Sequence, residues 1–145
     1  MRTKEFLSRL DHDRVVAAIR RAEAKSSGQI RIYVQRGELA DDALEHAQQK
    51  FTKLGMHKTT ERNGILIFVA PRARKFAVIG DEGVHARCGN EFWDQLVEGM
   101  GVHFSAEHFT DAIVDAIDEA GSLLARYFPK TSASENELPD DVIEG

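Results

Sequence analysis

The sequence predicts an α/β protein, a three-layer α/β/α sandwich in which helices flank a small mixed β-sheet. Helical and strand periodicities alternate along the body of the chain. The run Ile65–Ala70 is apolar without alternation, which indicates a central strand buried on both faces. The connection over residues 71–74 is so short that the strands on either side of it must form an antiparallel hairpin.

The first half of the body predicts two helices with a strand between them. Asp11–Ser26 has helical spacing, with Asp11 as its N-cap and Gly28 after its end. Gln29–Gln35 alternates apolar and polar residues, which predicts a strand with one face less buried. Ala40–Leu54 returns to helical spacing, and Gly55 follows as its stop.

The second half begins with the hairpin and ends with two helices. The hairpin strands cover residues 65–70 and 75–80. A helix is predicted over Asn90–Met100, and Ser105 is the predicted N-cap of a long helix that runs to Phe128. Because a helix joins the first two strands, we expect them to be parallel with a right-handed crossover.

Composition limits the classes of protein to which the chain can belong. Its 145 residues, 42% hydrophobic and 30% charged, are typical of one globular domain. No apolar run approaches the roughly 20 residues that span a bilayer, and the charged N-terminus lacks the apolar segment of a signal peptide. The single cysteine, Cys88, excludes a disulfide framework. We therefore expect a soluble, cytoplasmic protein.

Pro129 ends the last helical pattern and divides a domain over residues 1–129 from an acidic tail over residues 130–145. The tail is predicted to be disordered and dispensable for stability, because it has no periodic apolar face. Without it the chain is almost neutral, which gives no argument for a nucleic-acid partner. The turn that holds Arg72, Arg74 and Lys75 is basic, but no aromatic platform accompanies it in the sequence.

Chain direction brings three polar segments to one end of the predicted sheet, namely residues 27–29, 59–64 and 80–85. Asp81 and Glu82 could supply carboxylate oxygens to a divalent cation, and Asn63 could complete the shell. Arg62 is suited to hold an anionic group. In the structural alternative, Asp81 caps a turn and Arg62 pairs with a neighbouring acid. The residues by themselves leave both interpretations open.

In combination, these segments resemble the TPM domain family. The segments that carry the resemblance are AEAKSSGQIRIYV, FTKLGMHKTTERNGILIFVA, RKFAVIGDEGVH and GNEFWDQL, within Leu7–Pro129. The matching positions are Arg62, Asn63, Gly64, Gly80, Asp81, Gly83, His85 and Trp93. The resemblance implies an α/β/α sandwich, calcium binding as in some relatives, or acid phosphatase activity as described for a plant relative. This chain departs from the pattern at Gln29, where many relatives have Glu.

We therefore expect a TPM-type domain that binds a divalent cation, calcium for example, through Asp81, Glu82 and Asn63. The first alternative is a metal-assisted phosphomonoesterase, with Asp81, Arg62 and His85 as the candidate catalytic residues. The second is a non-catalytic interaction module with an unidentified protein partner. The zincin, P-loop and dinucleotide motifs are absent from the sequence, and the oligomeric state is left open.

Overall fold

The computed structural model is a four-stranded sheet with helices on both faces, and it describes residues 1–39, 42–130 and 142–145. The helices are α1 (Thr3–Ser8), α2 (His12–Ala24), α3 (Ala43–Lys53), α4 (Glu82–Ser105) and α5 (Phe109–Tyr127). The strands are β1 (Gln29–Val34), β2 (Gly64–Ala70), β3 (Lys75–Gly80) and β4 (Val142–Glu144). A short 3-10 helix, Met56–Lys58, lies between α3 and β2.

The strand order is β3-β2-β1-β4, which makes β1 and β2 the inner strands. β1 and β2 are parallel, with Gln29 opposite Gly64. β2 and β3 are antiparallel, with Ala70 opposite Lys75. Both pairings confirm the sequence prediction of a mixed sheet built from a crossover and a hairpin. The register also places the start of β1, the start of β2 and the end of β3 at one end of the sheet.

Two separate cores lie on the two faces of the sheet, so the three-layer prediction is confirmed. Ile30, Ile65 and Ile67 face the larger core, which α2, α4 and α5 cover. Leu66 and Phe68 face the smaller core, which α3 covers. Alternate residues of β2 are thus buried on opposite faces, as its continuous apolar run predicts. In the part of the chain that is described, no helix is long and apolar enough to cross a bilayer.

The prediction that one face of β1 is less buried is wrong, because every residue of this strand is buried. Gln29, Arg31 and Tyr33 turn toward the α3 layer despite their polar groups. Tyr33 stacks on Phe68 at a ring-centroid distance of 5.8 Å, and the Lys50 ammonium lies 5.2 Å from the Tyr33 ring centre. Burial lowers the pKa of the Arg31 guanidinium from its ordinary value.

The expectation that the whole acidic tail is disordered does not hold for its last residues. Val142–Glu144 form β4, which pairs in parallel with Ile32–Val34 on the outer edge of β1. Arg36 forms an ion pair with Glu144, and its backbone N–H donates to the Gly145 carbonyl at 2.7 Å. The backbone N–H and C=O groups of an open edge strand explain this pairing, and three residues are too few to show strand periodicity. The predictions for residues 131–141 lie outside the described residues.

The helix boundaries differ from the predicted ones at α4 and α5. α4 already begins at Glu82, and it is broken at Gly89, where φ is 72° and ψ is −176°. The predicted segment Asn90–Met100 is therefore the part of this helix that follows the break. Ser105 is the last residue of α4 rather than the cap of α5, whose N-cap is His108. α1 was not predicted, since six residues are too few to establish helical spacing.

Candidate site at the strand ends

Backbone hydrogen bonds bring the end of β3 against the loop that precedes β2. The Asp81 N–H donates to the Gly64 carbonyl at 2.9 Å, and the Gly83 N–H donates to the Arg62 carbonyl at 2.9 Å. Arg62 has a φ of 51°, a left-handed conformation that is uncommon for a residue with a side chain. The loop and the first turn of α4 are therefore in direct contact, and the predicted convergence of these two segments is confirmed.

Arg62 and Asp81 form a two-pronged ion pair at this junction. The Arg62 Nε atom donates to Asp81 Oδ2 at 2.8 Å, and an Arg62 terminal nitrogen donates to Oδ1 at 3.0 Å. The hydrogen bonds that Arg62 donates to this carboxylate, together with the negative charges of Asp81 and Glu82, raise the pKa of the Arg62 guanidinium. The guanidinium therefore stays charged, and it covers both oxygens of the carboxylate that was predicted to bind a cation.

Asp81 also caps a helix, which is the role that the structural alternative gives it. Its Oδ1 atom accepts from the Glu82 N–H at 2.8 Å, so that Asp81 is the N-cap of α4. Its side chain is only 5% exposed, whereas the side chain of Arg62 is 40% exposed. Glu82 is 72% exposed and lies 3.2 Å from a second terminal nitrogen of Arg62. One guanidinium thus bridges a buried and an exposed carboxylate.

Asn63 takes part in a second, adjoining set of hydrogen bonds. It is almost completely buried, and its Nδ2 atom donates to Ser27 Oγ at 3.0 Å. Ser27 Oγ in turn donates to Glu61 Oε1 at 3.1 Å. Asn63 is therefore near the ion pair in sequence, but its amide holds the loop against the segment before β1. Ser27 and Glu61 lie inside the predicted polar segments, although sequence reasoning did not single them out.

The side chain of His85 does not take part in the ion pair. Its Nδ1 atom accepts from the Trp93 indole N–H at 3.1 Å, and its backbone N–H donates to the Asp81 carbonyl at 3.0 Å. A Cβ atom on Gly80 would lie 2.2 Å from the Trp93 ring, so this ring packs directly on the end of β3. His85 and Trp93 therefore support the first turns of α4, and within the described part of the chain no hydrogen bond or ion pair joins the His85 ring to Arg62 or Asp81.

The donor types at this end of the sheet suit a hard divalent cation. Two carboxylates and an amide are present, and Gln29 Oε1 and Thr59 Oγ1 are buried without a hydrogen-bond partner among the described residues. Within residues 1–39, 42–130 and 142–145, no three histidine, cysteine, aspartate or glutamate side chains are close enough to form a metal site. A cation here would thus need amide, carbonyl or water oxygens, and it would have to displace Arg62 from Asp81.

The fold and this junction define a class: an α/β/α sandwich whose strand-end loop is joined to a helix N-terminus by an arginine–aspartate pair. The family model described as the TPM domain, which is named TPM phosphatase, matches residues 1–123. The chain therefore belongs to the TPM domain family, as its sequence motifs indicate.

Two solved structures are similar to this chain. The BA42 protein from the psychrophilic bacterium Bizionia argentinensis is 34% identical, with a TM-score of 0.84 and 92% of each chain covered. The N-terminal domain of the cg2496 protein from Corynebacterium glutamicum is 16% identical, with a TM-score of 0.60, over 92% of this chain and 77% of that one. The second likeness concerns the fold only. A search of curated proteins found no match.

Proposed function

We propose that this TPM domain binds a divalent cation of the calcium type at the strand-end cluster, in exchange with Arg62. The observation that carries the proposal is the bridging of two carboxylates, Asp81 and Glu82, by a single guanidinium. The Arg62 side chain is 40% exposed, so it has a path into solvent when a cation takes its place. Its departure would leave two adjacent negative charges, which a hard cation neutralises better than water does.

Local charge favours a cation over a phosphate ester at this place. Among the described residues, Arg62 is the basic side chain that contacts the two carboxylates, and it already binds an acid through each of its edges. A phosphate group would have to approach Asp81, Glu82 and the nearby Glu61. The Asp81 side chain is also almost fully buried, which keeps it from the in-line attack that a nucleophile must make.

The phosphomonoesterase alternative rests on the name of the family model and on the family resemblance. In that reaction Arg62 would hold the phosphate, and a bound cation would polarise it. The interaction-module alternative requires neither a cation nor a phosphate ester at this site. The phosphatase alternative makes a prediction about Arg62 that differs from that of cation exchange, so one variant can distinguish these two.

The test is the thermal unfolding midpoint with and without millimolar calcium, magnesium or manganese. A cation at about 100 times its Kd stabilises the folded state by about 2.7 kcal/mol. Glu82→Gln should reduce this rise and still fold, because Glu82 is mostly exposed. The matched control is Glu98→Gln, since Glu98 is an exposed acid on the same helix. No rise with any of the three cations in the wild type would exclude cation binding.

Arg62→Gln separates the cation proposal from the phosphatase alternative. Cation exchange predicts a lower midpoint without calcium and an equal or larger rise with calcium, because the competitor for Asp81 is gone. The phosphatase alternative predicts that hydrolysis of p-nitrophenyl phosphate by the wild type is lost in this variant. Asp81→Asn should lower the midpoint without any cation and should also abolish the calcium-dependent rise. A full calcium-dependent rise in Asp81→Asn would contradict binding at this carboxylate.

A further inference from the structure

A second feature lies at the opposite end of the sheet, one strand length from the Asp81 cluster. The cavity there has a volume of about 560 Å³, within the range of small-molecule sites. It opens where β2 ends and the hairpin turn begins. Since β2 runs from Gly64 to Ala70, this cavity is roughly 20 Å from the strand-end cluster. Binding at one place can therefore be measured independently of binding at the other.

The floor of the cavity is aromatic, and its four rings come from four different elements. Phe6 belongs to α1, Phe76 to β3, Phe104 to α4 and Phe109 to α5. The ring centres of Phe76 and Phe104 are 4.9 Å apart, and those of Phe6 and Phe109 are 5.3 Å apart. Phe76 and Phe104 are only half-buried, so part of each ring faces the cavity. These rings can therefore pack against a flat apolar group.

The rim of the cavity is positively charged, although the whole chain is acidic. Arg74 and Lys75 line it, both are exposed, and neither side chain has an ion pair or hydrogen bond among the described residues. Among the described residues that line the cavity, Glu107 is the one acid, and it forms an ion pair with Arg9 at 3.2 Å. The Arg9 guanidinium also lies 4.6 Å from the centre of the Phe109 ring. Positive charge at the rim is therefore left without a counter-charge.

We propose that this cavity binds a small organic anion, a carboxylate or sulfonate with a flat apolar body. The apolar body would lie against Phe76 and Phe104, and its anionic group would meet Arg74 and Lys75. Charge complementarity selects an anion, and the volume and aromatic lining select an apolar body over a simple inorganic ion. The proposal does not depend on cation binding at Asp81.

The first experiment compares two probes of opposite charge on the wild-type protein. We expect 1-naphthalenesulfonate to bind at least about tenfold more tightly than 1-naphthylmethylammonium, as measured by calorimetry. In two-dimensional NMR spectra the amide shifts should concentrate at residues 74–76, 101–105 and 109. Equal affinity for both probes, or no binding of the sulfonate at millimolar concentration, would overturn the proposal.

Two pairs of variants locate the site. The double variant Arg74→Gln/Lys75→Gln should weaken sulfonate binding about tenfold. Its control is Arg72→Gln, on the same turn, because Arg72 is 3.8 Å from Glu38 and does not line the cavity. Gly101→Leu should abolish binding, since a Cβ at Gly101 would be 3.7 Å from the Phe76 ring. Its control is Gly99→Leu, whose Cβ would meet nothing within 4 Å.

Each outcome of the variant series decides for or against the site. Weaker binding in the double charge variant and loss of binding in Gly101→Leu, with wild-type affinity in both controls, support it. Unchanged affinity in Gly101→Leu would place the sulfonate elsewhere, even if the charge variant weakened binding. Equal weakening in Arg72→Gln and in the double variant would show attraction to a basic surface without a defined cavity. The midpoint of thermal unfolding confirms that each variant is folded.

Discussion

Gly83 is the position at which a single methyl group tests the geometry of the strand-end site. It lies in the first turn of α4, and a Cβ atom there would be 2.3 Å from the Glu61 carbonyl oxygen and 2.6 Å from the Arg62 carbonyl oxygen. Both obstacles are backbone atoms, so no side-chain rotation can relieve them. Gly83→Ala must therefore push α4 away from the loop that carries Arg62.

The expected magnitude follows from two opposing effects. Alanine in place of glycine within a helix stabilises the folded state by about 0.5–1 kcal/mol. Forcing an additional group into a filled site costs about 1–3 kcal/mol, and here the displaced atoms are backbone. We expect Gly83→Ala to lower the free energy of unfolding by about 1–2 kcal/mol. The hydrogen bond from the Gly83 N–H to the Arg62 carbonyl should lengthen as well.

The matched control is Gly99→Ala on the same helix. A Cβ at Gly99 would meet nothing within 4 Å, so only the helix preference remains. This variant should raise the free energy of unfolding by about 0.5–1 kcal/mol. Urea unfolding at constant pH measures both, and the slope against urea should not change. If Gly83→Ala stabilised the protein as much as Gly99→Ala does, this result would contradict the close contact between the loop and the first turn of α4.

Three further experiments test other parts of the molecule. Phe68→Ala should cost about 3–5 kcal/mol in urea unfolding, because the ring is fully buried and stacked on Tyr33; a loss below about 1 kcal/mol would contradict the two-core arrangement. Removal of residues 142–145 should destabilise the protein by about 1–3 kcal/mol, since it opens the β1 edge, and an unchanged midpoint would mean that β4 contributes nothing. Burial raises the pKa of the Cys88 thiol, so its alkylation by iodoacetamide should be slower at neutral pH than that of free cysteine and should accelerate at higher pH; rapid alkylation at neutral pH would refute this.

The core architecture could be predicted from sequence because periodicity and connection length determine it. The apolar run in β2 required cover on both faces, and the short turn before β3 required an antiparallel partner. β4 could not be predicted in the same way. Val142–Glu144 show no periodicity, and their pairing depends on backbone groups of β1 that are available to any extended segment.

The candidate site was predicted in its location, and the structural alternative included both the Asp81 cap and the pairing of Arg62 with a neighbouring acid, but not the two-pronged pair of Arg62 with Asp81. The loop before β2 lies at the end of β3 because the two strands are antiparallel, and this direction could be predicted from the short connection between them. The direction of each side chain depends on local backbone conformation, and the positive φ of Arg62 is not encoded by its residue type. The sequence also contained no sign that Asn63 turns toward Ser27. The start of α4 was missed because its first part, Glu82–Cys88, is about two turns long and is separated from the periodic part by Gly89.

The position of β4 at the outer edge of β1 has a consequence for the newly made chain. β1 emerges from the ribosome early and β4 emerges last among the four strands, so the outer edge of β1 has no β4 to pair with until residue 144 has emerged. During that interval Ile32–Val34 present free backbone groups to any extended segment nearby. Nascent chains on neighbouring ribosomes carry the same open edge. The pairing of β4 with β1 therefore also removes an edge through which two such chains could join.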